Sequence, residues 1–238
     1  MRGGRWLLGF ALAAMAALAY FAYRGKSPRP GATEVDLSPE QEVEMLQQPT
    51  PDVELQFGGL DADPAVQQSV KAVGERVVSQ SVAASLPYEF QFYVLADTRT
   101  INAFILPGGP VFITRALLSR LKNEAQLAGV LGHELGHVLE HQSNPTRDSE
   151  READELGVQL MSEAGYDPRA LIGVVTILAG TTTRGRVLEF LPEYPDPGNR
   201  ALRIQDEIAR LFPDGVPGSL TLGESLVAWP EPGAIPPT

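Results

Sequence analysis

"GHELGHVLEHQSNPTRDSEREADELG" (Gly132–Gly157) contains every histidine of the chain: His133, His137 and His141. His-Glu-x-x-His sets two imidazoles one helical turn apart with a glutamate, Glu134, between them. That spacing lets one helix offer two ligands to a zinc ion and a carboxylate to the water the ion activates. The surrounding run "AQLAGVLGHELGHVL" is apolar nearly all round its helix, so the helix is expected to be buried. Two imidazoles and a carboxylate inside such a helix need partners, because unpaired buried polar groups are costly. A metal ion supplies one.

A catalytic zinc usually takes three protein ligands and leaves one position for water. The candidates for the third are His141, Asp148, Glu150, Glu152, Asp154 and Glu155. His141 lies about 12 Å along the helix axis from His133, at about 1.5 Å per residue, so one ion cannot bind both. His141 paired with His137 stays open. The next helix decides. On a helical wheel Ala153, Gly157, Leu160, Met161 and Ala164 form its apolar stripe, and Glu150 falls near the stripe's centre. Asp148, Glu152 and Glu155 fall on the opposite, solvated face. Glu150 is therefore the expected third ligand, in two antiparallel helices joined by a turn at Asn144-Pro145. Asp154, one turn further on, is placed to hydrogen-bond a ligand imidazole.

The net charge of −11 argues against a nucleic-acid partner, which wants a basic footprint. With no cysteine there are no disulfides and no thiolate ligands. Near the start, Trp6 to Tyr23 is an uncharged apolar run behind Arg2 and Arg5. A secretory core of about 7–15 residues is shorter than this, whereas a bilayer span needs about 17–25. An uncleaved anchor is the preferred reading, although "ALA" at Ala17–Ala19 also reads as a cleavage site. Such an anchor usually leaves the domain that follows outside the cytoplasm. "GKSPRPGATEVD" (Gly25–Asp36) reads as a tether.

Ser38-Pro39 and Asp63-Pro64 each mark a helix start. The second opens a stripe of Val66, Val70, Val73 and Val77. Tyr88–Leu95, Ile101–Ile105 and Val111–Thr114 read as strands, the last two joined through a type II turn at Pro107-Gly108. Asn123 caps the histidine helix. From Phe212 onward the chain carries six of its 20 prolines and reads as a surface-wrapping or disordered tail. The expected organisation is an anchor or signal at 1–24, a linker at 25–36, one mostly helical α+β domain at 37–211 and a Pro-rich tail at 212–238. A small sheet precedes the metal-binding helix.

His-Glu-Leu-Gly-His followed by Glu150-x-Glu-Ala-Asp154 resembles the gluzincin metallopeptidases of the CAAX prenyl protease and bacterial heat-shock membrane protease type. The periplasmic and lipoprotein members are the most similar. "NAFILPGGPVFITRALL" (Asn102–Leu118) and "LMSEAGYDPRAL" are similar to two further stretches of that family, in the same order. The resemblance implies a zinc endopeptidase acting on protein or peptide substrates. It makes His133, His137 and Glu150 the ligands of one zinc per chain. Glu134 becomes the general base, and Asp154 a site aspartate sometimes regarded as a proton donor. Asn102 and Arg200 are assigned to substrate binding.

Two departures accompany it. "LEHQSNPTRD" replaces a longer family insert, and in "EYPDPGNR" Tyr194 stands where the family has a histidine. Tyr194 is expected near the metal, either donating to the developing oxyanion or holding the site latent. Substrate is expected to lie along Val111, Phe112 and Ile113 by strand addition. The leading function is a membrane-tethered zinc endopeptidase of envelope quality control. The alternative is a metal-stabilised binding or chaperone-like module with little turnover. The sequence does not fix the oligomeric state.

Overall fold

The computed structural model describes residues 56–106, 108–143, 149–181 and 197–226, with the main chain alone at 141–143, 149, 179–181 and 197–198. The expected anchor, the linker, the helix start at Ser38, the turn at Asn144-Pro145 and Tyr194 lie outside these residues. Among the described residues no helix is long and apolar enough to cross a membrane.

The first described helix, α1 (Pro64–Ser79), begins as its sequence dictates. Asp63 accepts a hydrogen bond from the Ala65 N–H at 2.9 Å, and Pro64 opens the first turn. Val66, Val70, Val73 and Val77 are all buried. Gly74 lets the helix lie on the sheet, since a Cβ there would meet the Phe92 ring at 2.5 Å. A 3₁₀ turn (Val82–Ser85) leads to β1 (Gln91–Leu95), β2 (Ala103–Ile105) and β3 (Pro110–Thr114).

The sheet order is β1-β3-β2, with β3 parallel to β1 and antiparallel to β2. Phe112 sits opposite Tyr93 on one side and Phe104 on the other. Of the turn expected between β2 and β3, Pro107 lies outside the described residues, and the residues around it are consistent with the reading. The Gly109 N–H donates to the Leu106 carbonyl at 3.1 Å, and Gly108 takes φ +87°, the left-handed value that favours glycine at this turn position. Val111 and Ile113 join the main core, whereas Phe112 stacks with Tyr93 and Phe104 in a smaller aromatic cluster on the other face.

This arrangement corrects the substrate expectation at Val111, Phe112 and Ile113. β3 is the central strand and pairs its main-chain groups with both neighbours, so no peptide can be added along it. Its residues are buried from Pro110 to Thr114. A strand apolar at successive positions, without polar alternation, is the mark of one covered on both faces.

Thr114 ends β3 and caps the one-turn helix α2 (Arg115–Leu118). α3 (Glu124–Ser143) carries the histidines, and α4 (Ser149–Glu163) packs antiparallel against it more closely than any other pair. Asn123 caps α3 as expected, its side chain accepting from the Gln126 N–H at 3.0 Å. α5 (Arg169–Thr181) and α6 (Pro197–Leu211) complete an α+β fold, mostly helical with a small mixed sheet. Packing continues beyond residue 211. The Glu124 and Ala125 N–H groups donate to the Glu224 and Leu222 carbonyls, both at 3.0 Å, and the Leu226 side chain is buried. The start of the tail thus satisfies the first turn of α3, whose N–H groups have no partner within their own helix.

Candidate metal centre

The depth of the site follows from glycines. Gly132 and Gly136 stand one turn apart on α3, facing Gly157 and Ala153 on α4. A Cβ on Gly136 would lie 2.9 Å from the Ala153 carbonyl oxygen, and one on Gly132 would lie 3.2 Å from that of Gly157. The helix backbones therefore approach closely enough for carboxylates on α4 to reach imidazoles on α3.

Two imidazole nitrogens and a carboxylate converge there. His133 Nε2 and His137 Nε2 are 3.2 Å apart, and Glu150 sets Oε2 3.4 Å from the first and Oε1 3.4 Å from the second. Among the described residues no other set of three such side chains comes as close together. A tetrahedral zinc with bonds of about 2.0–2.1 Å requires its ligand atoms to stand about 3.3 Å apart. The spacing fits. Glu150 Oε2 is buried and has no hydrogen-bond partner among the described residues. An orphaned carboxylate oxygen 3.4 Å from one imidazole nitrogen, with its twin 3.4 Å from the other, suits a cation held between the three side chains.

On the far side of His133 lies a buried network. Nδ1 is 2.9 Å from Asp154 Oδ1, and Arg200, from α6, grips both Asp154 oxygens at 2.7 Å. Arg200 is only 2% exposed. The paired carboxylate fixes the tautomer in which Nδ1 carries the proton and Nε2 faces the metal position. In the metal-free protein, burial disfavours the His133 imidazolium, but the Asp154 and Glu150 carboxylates outweigh it and lift the pKa to about 9. Burial likewise opposes ionisation of Glu150, yet the two histidines hold it well below the ordinary carboxylate value. His133 and Arg200 do the same for Asp154 against its own burial.

Arg200, expected at the substrate, instead touches Asp154 and the back of His133. Asp154 hydrogen-bonds His133, one of its two expected positions, with both oxygens engaged on the ring edge away from Nε2.

Glu134 follows His133 directly, is 1% exposed, and leaves Oε2 without a partner among the described residues. Asn102 is buried beside the sheet. Its main chain is tied to Thr114, while its Oδ1 is likewise unpartnered. Sequence reasoning overlooked Glu140. Its carboxylate lies 3.9 Å from His137 Nδ1, and the i, i+3 spacing was the available signal.

The chain matches relatives of known class. It is 25% identical to the beta-barrel assembly-enhancing protease of Escherichia coli K12 over 200 residues, covering 63% of this chain and 40% of that protein. The corresponding Yersinia pestis protein is 27% identical over the same shares. The mitochondrial metalloendopeptidase OMA1 of Schizosaccharomyces pombe is 27% identical over 244 residues, covering 85% of this chain and 71% of that one. This chain therefore spans well under half the length of the bacterial proteases. The profile of peptidase family M48 matches residues 64–145 and 141–208, from the first residue of α1 through the histidine and glutamate helices to Arg200 and beyond. With the sheet, the histidine helix, the glutamate helix and most of the arginine helix inside the match, the chain belongs to peptidase family M48.

Proposed function

We propose that this chain is a zinc-dependent endopeptidase holding one zinc through His133, His137 and Glu150. The observation that carries it is the convergence of two imidazole nitrogens and the Glu150 carboxylate at 3.2–3.4 Å, with Glu134 buried at the position next to His133 in the helix. Bound zinc would supply Lewis acidity to the scissile carbonyl and make water acidic enough to deprotonate near neutral pH. Glu134, with no competing hydrogen bond on Oε2, accepts the proton of the attacking water and returns it to the departing amine nitrogen. Asp154 and Arg200 keep the His133 ring in register. The close α3–α4 packing excludes water from behind the donor atoms.

The site belongs to a protein acting in the cell envelope, tethered by the apolar amino-terminal segment, with misassembled proteins as substrates. Two features support this. Trp6–Tyr23 is long enough to span a bilayer, and the bacterial relatives are named for β-barrel assembly. Within the family, the NAFILPGG stretch and the Glu150–Asp154 motif resemble the CAAX protease and heat-shock protease type, while the short connection between the metal motifs departs from it.

The test is hydrolysis of casein by the purified chain with zinc measured in parallel. Glu134→Gln should keep its zinc and lose at least about 100-fold in rate, the lower range for general-base catalysis. Unchanged hydrolysis would remove Glu134 as the base. Zinc binding without hydrolysis in the wild type would leave a binding module.

A further inference from the structure

His137 has a second ring nitrogen that the metal triangle does not use. Its Nε2 faces Glu150 Oε1 at 3.4 Å and His133 Nε2 at 3.2 Å, so Nδ1 lies on the opposite edge of the ring. Asp154 cannot serve it, because His133 and Arg200 already occupy both of its oxygens. Facing Nδ1 is Glu140 Oε2, at 3.9 Å. The side chains of His137 and Glu140 are 11% and 8% exposed, so the ring edge and the carboxylate face one another within the protein.

We propose that Glu140 is the positioning residue for His137: its carboxylate accepts the Nδ1–H hydrogen bond and so presents Nε2 to the metal. The gap exceeds a hydrogen bond of about 2.7–3.2 Å by roughly an ångström. Rotation about the glutamate's own side-chain bonds covers that distance while the ring stays in the triangle. Each zinc histidine then has its own carboxylate, reached in different ways. His133 is held across the helix pair by Asp154, and His137 from one turn along its own helix by Glu140. Such partners commonly contribute about 10–100-fold to metal affinity.

This rests on His133, His137 and Glu150 being the zinc ligands, and the experiment separates the two claims. Zinc affinity is measured on the purified chain by competition with a chromophoric chelator, for wild type, E140A, E140Q and E150A, with helicity followed by circular dichroism. E140A should bind zinc about 10–100-fold more weakly, whereas E140Q should stay within about threefold because its amide oxygen still accepts from Nδ1–H. In the zinc-loaded protein labelled with ¹⁵N-histidine, a slowly exchanging His137 Nδ1–H signal should be present in wild type and E140Q and absent in E140A. The signal in wild type and E140Q also decides the matter if E140A fails to fold.

Zinc affinity in E140A within twofold of wild type would overturn the proposal. So would E140Q as weak as E140A, since charge or packing, and not the acceptor, would then be what matters. Equal zinc in wild type and E150A would overturn the ligand reading itself, and this proposal with it.

Discussion

Replacing Gly136 by alanine tests whether helix approach sets the metal site. By intrinsic propensity alone the change should help, because alanine in a helix interior is favoured over glycine by about 0.5–1 kcal/mol. The structure predicts the reverse. The new Cβ would lie 2.9 Å from the Ala153 carbonyl oxygen, 3.0 Å from Ala153 Cα and 3.2 Å from Leu156 Cβ. Two of these contacts are backbone and cannot rotate away, so α3 and α4 must separate by about half an ångström or more. Overpacking of this kind costs about 1–3 kcal/mol. Glu150 lies one turn from Ala153, and its oxygens stand 3.4 Å from the imidazole nitrogens, a spacing with little slack. Metal–ligand distances tolerate about 0.2 Å, so the separation falls directly on zinc affinity. If most of the strain must be restored on binding, affinity drops about 5–150-fold. The control is Gly129→Ala on the same helix, where the new atom meets the Leu171 side chain on α5, with its Cδ1 at 3.1 Å. That side chain can shift without moving α4. Zinc affinity by chelator competition, beside thermal unfolding of both variants, is the assay. G136A binding zinc as tightly as G129A, with both folded, would refute the reasoning.

Removing Arg200 should act through the same ligand from behind. R200L leaves the Asp154 carboxylate buried without its cation, which costs about 3–5 kcal/mol of stability and weakens zinc. The double variant D154L/R200L should recover much of the stability but not the zinc affinity, and recovery of both would make the network merely structural. The metal-free domain should have an inverted pH profile. His133, with its pKa raised to about 9 in the folded chain, contributes stability that is complete below its unfolded value of 6.5 and is lost as pH rises toward 9. That loss is about 3 kcal/mol, since each tenfold gain in proton affinity on folding is worth about 1.36 kcal/mol. Glu150 and Asp154, both lowered, contribute above their unfolded values of 4.5 and 3.8 and lose that contribution as pH falls. Urea unfolding of the EDTA-treated chain should therefore show most stability between about pH 4.5 and 6.5, the window these groups define. Stability rising from pH 6.5 to 9 would contradict it.

What the sequence disclosed and what it withheld divide along one physical line. Features fixed within a helical turn were legible. The valine stripe of α1, the Asn123 cap, the glycine turn before β3 and the inward face of Glu150 all follow from a period or a local hydrogen bond. Features fixed by pairing distant segments were not. Strand order is a long-range choice, so β3 read as an edge although its unbroken apolar run was the sign of a central strand. Arg200 lies 46 residues from Asp154, and nothing in α6 alone says that its one deeply buried arginine grips the aspartate behind His133. The residues after Phe212 looked like a tail because proline and glycine dominate them. Their backbone carbonyls, which carry no sequence signature, are what the first turn of α3 needs. Glu140 was within reach of local reasoning and was passed over.

The glycines and the ligands are parts of one device, and the spacing shows why. On α3, Gly132-His133 and Gly136-His137 repeat at four residues, and on α4 Ala153 and Gly157 repeat at the same interval, with Asp154 between them. Residues four apart share a helix face, so each helix carries a stripe of small residues flush beside a stripe of functional ones. Antiparallel packing then sets Gly136 against Ala153 and Gly132 against Gly157. The backbones come close enough for an aspartate, with a single methylene, to reach Nδ1 at 2.9 Å, while Glu150, one turn earlier and one methylene longer, bridges both Nε2 atoms. With larger residues at the small positions the same histidines and carboxylates would remain in the sequence but would face one another across too wide a gap. The small residues between the ligands are thus as much a requirement of the metal chemistry as the ligands themselves.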